Sequence, residues 1–249
     1  QPWLVKGNPD TPVALTLTFR VESDLEVPVD LAFEDHPLAI SLNGSLVAME
    51  TGTWFVDRAL HRIHLGVLQK GVNVIAMRYG FTRKTNLENA FLLGDFGVPG
   101  SGSRLRIVGL PSLLGFGSYA GQGLPFYGGN VTYRAQIETD GMNSYAVMVP
   151  LYQAPLVAVS LDGKRVGSII GEPYQASLGR PAKGKHTLEL VSYGSRINQF
   201  GQLHTTVREM YWGPRSWRMT GPYWSYTYRL RPVGILSDPL LLMEEEHHA

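Results

Sequence analysis

An internal repeat constrains the fold of this chain more than any other feature. The ten residues LAISLNGSLV at 38–47 return as VAVSLDGKRV at 157–166. Three further matches follow the same order: Phe19-Arg20 with Tyr133-Arg134, residues 65–71 with 178–184, and Tyr79-Gly80 with Tyr193-Gly194. The offsets between matching positions lie between 113 and 119 residues. A period this long indicates two related domains, because the repeats of a solenoid are much shorter.

Each copy has the pattern of short antiparallel strands. Asn43-Gly44 and Asp162-Gly163 predict type I′ hairpins, since both central residues of that turn need a positive φ. Apolar residues at alternate positions predict half-buried strands at 13–19, 38–42, 73–79, 131–137, 146–149, 156–161, 187–193 and 225–230. No segment shows a sustained helical period. We therefore expect an all-β chain of two tandem antiparallel β-sandwich domains, at residues 1–104 and 105–249.

Composition excludes several classes of protein. The chain holds 22 basic and 21 acidic residues, so a nucleic-acid or anionic-membrane partner is disfavoured, although a local arginine cluster could still serve a smaller acidic ligand. It has no cysteine, which excludes disulfides, thiolate metal sites and cysteine nucleophiles. No apolar run approaches the ~18 residues of a membrane span.

The order of these motifs carries a family resemblance. An aromatic-Arg strand, an apolar strand with a V-x-[LV]-[ND]-G-x-x-V hairpin, and an L-x-x-G-x-[NH]-x-[LIV] turn follow one another in both copies. This order resembles the galactose-binding-like jelly roll, the sugar-binding domain of family 2 glycoside hydrolases, and related ancillary sandwiches of rhamnosidase-type enzymes. The residues 123–134 and 188–203 are similar to such domains, and the resemblance covers 120–235 closely and 13–98 less closely.

The resemblance also implies where chemistry is absent. The catalytic carboxylates of such glycosidases come from a separate (β/α)₈ barrel, which needs alternating strands and helices. Carboxylates are present here, but no motif gives any of them a partner across a sugar: Glu34, Asp35, Asp57, Glu88, Asp95, Glu138, Glu172 and Glu209. Gly-x-Ser-x-Gly and phosphate-loop motifs are absent from the sequence. We therefore assign no catalytic residue.

No metal site is predicted. His61 and His64, with Asp57, invite a metal interpretation, but residues three apart on a strand point to opposite faces. The resemblance allows a structural calcium ion, yet no Asp-x-Asp cluster names its ligands. The sequence predicts no other cofactor.

Aromatic and arginine residues are the candidates for ligand binding. Sugars are held by an apolar platform beside a few polar groups. The loop-rich stretch 211–228 and the segment before it supply such groups: Tyr211, Trp212, Arg215, Trp217, Tyr223, Trp224, Asn198 and His204. Trp224, Tyr226 and Tyr228 alternate, so some of them could instead be core. In the first copy, Trp54 is a second candidate near Arg83, Asn86 and Glu88, or an interdomain contact.

These observations predict a non-catalytic carbohydrate-binding or ancillary module of a bacterial glycoside hydrolase. Its expected partners are an oligo- or polysaccharide and the catalytic domain of the parent enzyme. Two alternatives are domains that only brace a catalytic barrel and a stand-alone polysaccharide-active enzyme, such as a lyase using Tyr, His and Arg. The chain opens Gln-Pro-Trp, without initiator Met or signal peptide, so we expect a processed piece of a longer, secreted or periplasmic protein.

Overall fold

The protein is almost entirely antiparallel β-sheet. A computed structural model describes residues 12–50, 52–82, 84–85, 87–100, 104–207 and 220–244. Its sheets confirm the expected all-β fold built from antiparallel strands. The chain divides into two compact units: the first holds residues up to 100 together with 104–110, and the second continues from 111. Bridges from Ile107 to Ser23 and from Val108 to Gly97 attach the segment 104–110 to the first unit.

The first unit has two four-stranded sheets. Its strands are β1 (Val13–Ser23), β2 (Val27–Phe33), β3 (Ala39–Leu42), β4 (Ser45–Leu46), β5 (Thr53–Phe55), β6 (Asp57–Leu68), β7 (Gly71–Phe81) and β8 (Phe91–Leu93). One sheet has the order β1-β7-β3-β4 and the other β5-β6-β2-β8.

The second unit has the same plan. Its elements are β9 (Val131–Thr139), β10 (Ser144–Met148), β11 (Tyr152–Gln153), β12 (Val157–Leu161), β13 (Lys164–Ile169), β14 (Gln175–Gly179), β15 (Gly184–Ser192), a short helix α1 (Ile197–Phe200), β16 (Gly234–Ile235) and β17 (Leu240–Glu244). The sheets run β9-β15-β12-β13 and β14-β10-β17, with β11 and β16 forming a small ribbon.

The strand orders show that the sequence repeat is a structural repeat. β1-β7-β3-β4 corresponds to β9-β15-β12-β13, and β6-β2-β8 corresponds to β14-β10-β17. Ser23 pairs with Gly71, and Thr139 pairs with Gly184. This register makes Tyr133 the counterpart of Leu17, so matching Phe19 with Tyr133 by sequence is wrong by two residues. The error leaves each side chain on its own face, because strand faces alternate with a period of two.

Each unit has its own hydrophobic core. In β7, the alternate residues Ile75, Met77 and Tyr79 are buried in the first core, and in β15 Leu188 and Leu190 are buried in the second. Burying one such side chain contributes roughly 1.5–3 kcal/mol. Alternation along the strands therefore supplies the apolar face that each sandwich needs.

Local backbone geometry confirms both predicted hairpins. Asn43 and Gly44 have φ of 51° and 85°, and Asp162 and Gly163 have φ of 52° and 77°. Both central residues are thus left-handed in each turn, as a type I′ hairpin requires. Within the described ranges, no helix is both long and apolar enough to cross a membrane.

The predicted strand at 225–230 is wrong. These residues belong to no strand, and Trp224 makes only an isolated bridge with Thr205. The hydroxyl of Ser225 accepts a hydrogen bond from the backbone N–H of Thr227 at 3.2 Å. The Ser225 hydroxyl therefore satisfies the N–H of Thr227, which in a strand would bond to a neighbouring strand.

Candidate functional site

The two ends of the larger sheet in the second unit differ in character. Ser192, the last residue of β15, pairs with Val131 at the start of β9 and with Val157 at the start of β12. The chain then leaves this sheet, and among the described residues the next strand is β16, which pairs with β11 in the small ribbon. We call residues 193–233 the excursion. The Asp162-Gly163 hairpin lies at the other end of β12. That strand begins at Val157 beside Ser192 and ends at Leu161 beside Leu188, just before the hairpin.

Asn198 anchors the excursion to itself. Its side-chain amide donates to the carbonyl oxygen of Arg231 at 2.9 Å and accepts from the N–H of Arg231 at 2.8 Å. The residue is 1% exposed, so both halves of the amide are used inside the fold. This pair of bonds joins the start of the excursion to its end.

A second set of contacts joins the excursion to the loop before β9. The side chain of Gln199 donates to the carbonyl oxygen of Phe126 at 2.7 Å, and the N–H of Gly194 donates to Asn130 at 2.9 Å. A Cβ on Gly194 would overlap the carbonyl oxygens of Gly128 and Gly129. The absence of a side chain at Gly194 therefore lets the two segments pack backbone against backbone.

Backbone hydrogen bonds then pair the two described arms of the excursion. Ser225 N–H donates to the carbonyl oxygen of His204 at 2.7 Å, and Arg229 N–H donates to that of Leu203 at 2.6 Å. The imidazole Nδ1 of His204 lies 2.9 Å from the carbonyl oxygen of Ser225. A carbonyl only accepts, so Nδ1 carries the proton and, in the neutral ring, Nε2 is an acceptor.

Four rings of these arms and the ring of Phe126 from the loop before β9 form a continuous series of stacked, tilted and edge-on contacts, which we call the aromatic ladder. His204 is at its centre, with its ring centroid 4.5 Å from that of Trp224 and 4.9 Å from that of Tyr228. Phe126 extends the series beyond Tyr228 at 5.1 Å, and Tyr226 extends it beyond Trp224 at 6.1 Å. All four spacings fall in the range of favourable aromatic pairs.

The ladder is partly open to solvent. Tyr226 is 87% exposed and the adjacent Tyr223 is 58% exposed, so large aromatic surface faces water. Two buried donors beside it, Trp224 Nε1 and Gln202 Nε2, have no hydrogen-bond partner among the described residues. An unsatisfied buried donor costs about 1–3 kcal/mol. This end of the sheet therefore has exposed aromatic surface and, beneath it, two buried donors without a described partner.

The structure brings together some of the predicted site residues. His204 and Trp224 are in the ladder, and Tyr223 lies beside it: its carbonyl oxygen accepts from Thr206 N–H at 3.0 Å. Asn198 supports the excursion from inside, as described above. Four other candidates lie outside the described residues: Tyr211, Trp212, Arg215 and Trp217.

Three ladder residues, Phe126, Tyr226 and Tyr228, were not among the predicted ligand-binding residues. Phe126 stands in the uncharged run 111–130, before the second sheet begins. The Pro-Phe-Tyr-Gly-Gly sequence at 125–129 was the available signal, since aromatics next to loop glycines are often presented at a surface. Its partner in space is 102 positions away in the chain, and no local pattern indicates that pairing.

The other predicted candidate, Trp54, lies on β5 in the first unit. It is 53% exposed and pairs in register with His61 on β6. The His61 ring centroid is 5.6 Å from that of His36 and 6.3 Å from that of Phe33. Arg83 and Asn86, predicted near Trp54, lie outside the described residues.

His64 contacts different residues from those that His61 contacts. Its Nδ1 lies 3.1 Å from Asp30, which also pairs with Arg62. The carboxylate of Asp57 instead accepts from the N–H of Ala59 at 2.9 Å. Among the residues that the structure describes, no three His, Cys, Asp or Glu side chains are grouped to hold a metal ion.

Comparison with known proteins adds little beyond this geometry. No family model matches the sequence, and no curated protein matches it. Among solved structures, the chain is similar to a rhamnosidase from Novosphingobium sp. PP1Y, with a TM-score of 0.40 and 15% identity over 95% of this chain and 23% of that one. It is also similar to a lectin of Pleurotus ostreatus, with a TM-score of 0.24 and 9% identity over 76% of this chain and 70% of the lectin. The chain thus spans about a quarter of the rhamnosidase, and neither likeness identifies a ligand or an activity here.

Proposed function

We propose that this chain is a non-catalytic carbohydrate-binding module and that its second unit binds glycan on the aromatic ladder. The observation that carries the proposal is the continuous series of aromatic rings from Phe126 to Tyr226, in which Tyr226 and Tyr228 are exposed. On this proposal the module is an ancillary part of a bacterial glycoside hydrolase, whose catalytic domain is its protein partner.

The chemistry of a sugar ring fits such a surface. One face of a pyranose presents C–H groups, which bury apolar area when they lie on an aromatic ring, while the hydroxyls at the edge need polar partners. Tyr226 and Tyr223 supply the exposed rings. Their hydroxyls, with His204 Nε2, supply donors and acceptors at the edges.

The hydrogen bonds beneath the ladder hold its rings in place, which favours a binding role for this surface. The bonds of Asn198 to Arg231 join the two ends of the excursion, and the bond of Gln199 to Phe126 joins it to the loop before β9. A site whose rings are already positioned loses less conformational entropy when the ligand binds. Asn198 is in this proposal a supporting residue, and the contacts to sugar come from the ladder and from Tyr223.

A titration of the chain with a panel of neutral and acidic oligosaccharides tests the proposal. We expect quenching of tryptophan fluorescence, together with heat in calorimetry, for at least one glycan class. Tyr226→Ala should weaken that binding about tenfold, because it removes a stacking platform worth roughly 1–3 kcal/mol in comparable sites. The fold should be unaffected, since Tyr226 is largely exposed.

Two further variants give the controls. Met142→Ala removes an apolar side chain that is 70% exposed in the turn between β9 and β10, at the opposite end of the sheet, and should leave binding unchanged. Trp54→Ala tests the first unit: unchanged affinity places the site in the second unit, and a loss equal to that of Tyr226→Ala contradicts that placement. A flat response across the whole panel would reject carbohydrate binding and leave the bracing alternative. Release of glycan fragments by the purified chain would reject the non-catalytic assignment.

A further inference from the structure

The charge of this chain is unevenly distributed. The excursion contains six arginines and one acidic residue, Glu209. The other segments together hold 16 basic and 20 acidic residues, since the whole chain has 22 and 21. A chain that is nearly neutral overall therefore carries a concentrated positive segment, and the rest of the chain is net acidic.

The described arginines of this segment are attached to the backbone that carries the aromatic ladder. Arg229 directly follows Tyr228, and its N–H is bonded to Leu203, the neighbour of His204. Arg231 holds the end of the excursion through Asn198. Arg196 begins the helix α1, where its guanidinium donates to Gln199 at 3.0 Å. All three residues are exposed.

The same end of the sheet is poor in negative groups. The described parts of the excursion, 193–207 and 220–233, contain no Asp or Glu, and the packed loop 111–130 contains no charged residue at all. With arginines and no acidic residue in these described segments, the charge at this end of the sheet favours a negatively charged ligand.

We propose that the second unit selects glycans that carry carboxylate groups, that is, chains containing uronic acid residues. This inference rests on the proposed function and names the ligand class of the same ladder. The sugar rings lie on the aromatic surface, and the carboxylates meet the arginines beside it. A guanidinium presents two parallel N–H donors in a plane, which matches the two oxygens of a carboxylate.

The decisive comparison is between an acidic glycan and its neutral ester. Oligogalacturonates of defined length and the same oligomers with every carboxylate methyl-esterified are titrated into the chain in calorimetry. We expect the ester to bind about tenfold more weakly or worse, because hydrogen bonds to charged groups contribute roughly 1.5–3 kcal/mol. Affinity for the acid form should also fall as salt is added, since exposed charges are screened.

A sulfated oligosaccharide of equal charge is the second arm of the comparison. Weaker binding of this probe than of the oligogalacturonate supports carboxylate selectivity. Equal or tighter binding overturns it, because the site would then respond to negative charge alone.

Matched variants test the role of the arginines. Arg229→Gln should lower the affinity for the oligogalacturonate about tenfold and leave the affinity for the ester unchanged. Arg165→Gln removes the same charge from β13, whose residue 165 pairs with Ser160 near the opposite end of the sheet, and should change neither affinity. Equal weakening of both sugars by Arg229→Gln, or no effect on either, would contradict the inference.

The outcomes separate this inference from the function on which it rests. An ester bound as tightly as the acid overturns the selectivity and leaves carbohydrate binding intact. No binding of either form, or of any member of the neutral panel, rejects both.

Discussion

His186 donates a hydrogen bond from its imidazole to the carboxylate of Asp162 at 2.6 Å, at the place where Asn73 meets Asn43 at 2.9 Å in the first unit. In both hairpins the first turn residue also accepts a backbone N–H, from Val74 at 2.8 Å in one unit and from Thr187 at 2.8 Å in the other. The two copies thus hold the same turn to the same neighbouring strand. One copy uses a pair of amides and the other an ion pair.

The ion pair makes the second hairpin sensitive to pH. The bond to Asp162 and the bond from the other ring nitrogen to the Ala182 carbonyl both favour the charged imidazole, so the pKa of His186 is raised above its ordinary 6.5. A raised pKa stabilises the fold fully below the unfolded value and less as pH rises through the folded one. The pKa of Asp162 is lowered from 3.8, chiefly by His186, so its contribution is lost as pH falls through that lowered value.

His186→Asn replaces the imidazole with the residue type that the first unit has at this place, Asn73, and leaves the Asp162 carboxylate unchanged. Wild type should be more stable than the variant between pH 3.8 and pH 6.5, the ordinary pKa values of Asp162 and His186. The difference in the free energy of unfolding should shrink at higher pH. Urea unfolding at a series of pH values measures the difference, and NMR titration of the imidazole gives the pKa directly. A constant difference across neutral pH, or a His186 pKa at or below 6.5, would refute the assignment.

Asp35 should destabilise the first unit when it is ionised. It is buried, and its Oδ2 accepts from the N–H of Glu88 at 3.3 Å. The Tyr79 hydroxyl is a further neighbour, because burial and the nearby Asp35 carboxylate together raise the pKa of Tyr79. Burial is the main cause that raises the pKa of Asp35, and the nearby Glu88 and Glu34 add to it. The contribution of Asp35 to stability is therefore fully present below its ordinary pKa of 3.8 and is lost as pH rises through the raised folded value.

Asp35→Asn should accordingly make the protein more stable at neutral pH, and the gain should vanish in acid. Its amide oxygen can still accept from Glu88. Asp95→Asn, an exposed carboxylate of the same unit, is the matched control and should have little effect in thermal unfolding. A loss of stability in Asp35→Asn at neutral pH would show that the carboxylate has a partner that needs its charge.

Asn198→Ala should loosen the excursion. The change removes two buried hydrogen bonds to Arg231 and should cost about 1–3 kcal/mol. Hydrogen exchange at the Arg231 N–H, which donates to Asn198, should become fast. Gln136→Ala on the exposed face of β9 should stay within about 0.5 kcal/mol of wild type. Continued protection of the Arg231 amide would mean that other contacts hold the excursion.

Separate cores lead us to expect that the two units, whose boundary lies near residue 110, unfold separately. Ile40 is 0% exposed in the first core and Leu190 is 4% exposed in the second. Either residue changed to Ala should destabilise its own unit by about 2–5 kcal/mol. Hydrogen exchange measured by mass spectrometry assigns the loss of protection to a unit. Protection lost equally in both units from one variant would mean that the chain unfolds as a whole.

Local patterns predicted much of the frame and missed parts of it for identifiable reasons. Both hairpins follow from their Asn-Gly and Asp-Gly turns. The strand β2 was not predicted, although Val27, Val29 and Leu31 alternate, because Pro28 interrupts the run. In the structure Pro28 pairs with β6 only, since β8 reaches no further than Asp30. The proline therefore lies beyond the two-sided part of the strand, where its missing N–H is tolerated.

The candidate site was less predictable than the frame. The aromatic candidates His204 and Trp224 follow from composition, but their stacking depends on the path of a long loop. The sequence groups Asn198 with the ligand contacts, because a polar residue in a loop has the composition of a binding residue. In the structure it is buried, and its side chain is hydrogen-bonded to the backbone of Arg231. Phe126 joins the ladder from a segment 102 positions away, which only tertiary structure reveals.

At one place in the repeat, the connections of the two units differ greatly in length. Nine residues join β7 to β8 in the first unit, and 47 join β15 to β17 in the second. The strand order of the sandwich therefore does not depend on the length of this connection. Homologues with a long connection in both copies, in neither, or in the first alone would show whether the second unit gained residues at this point or the first unit lost them.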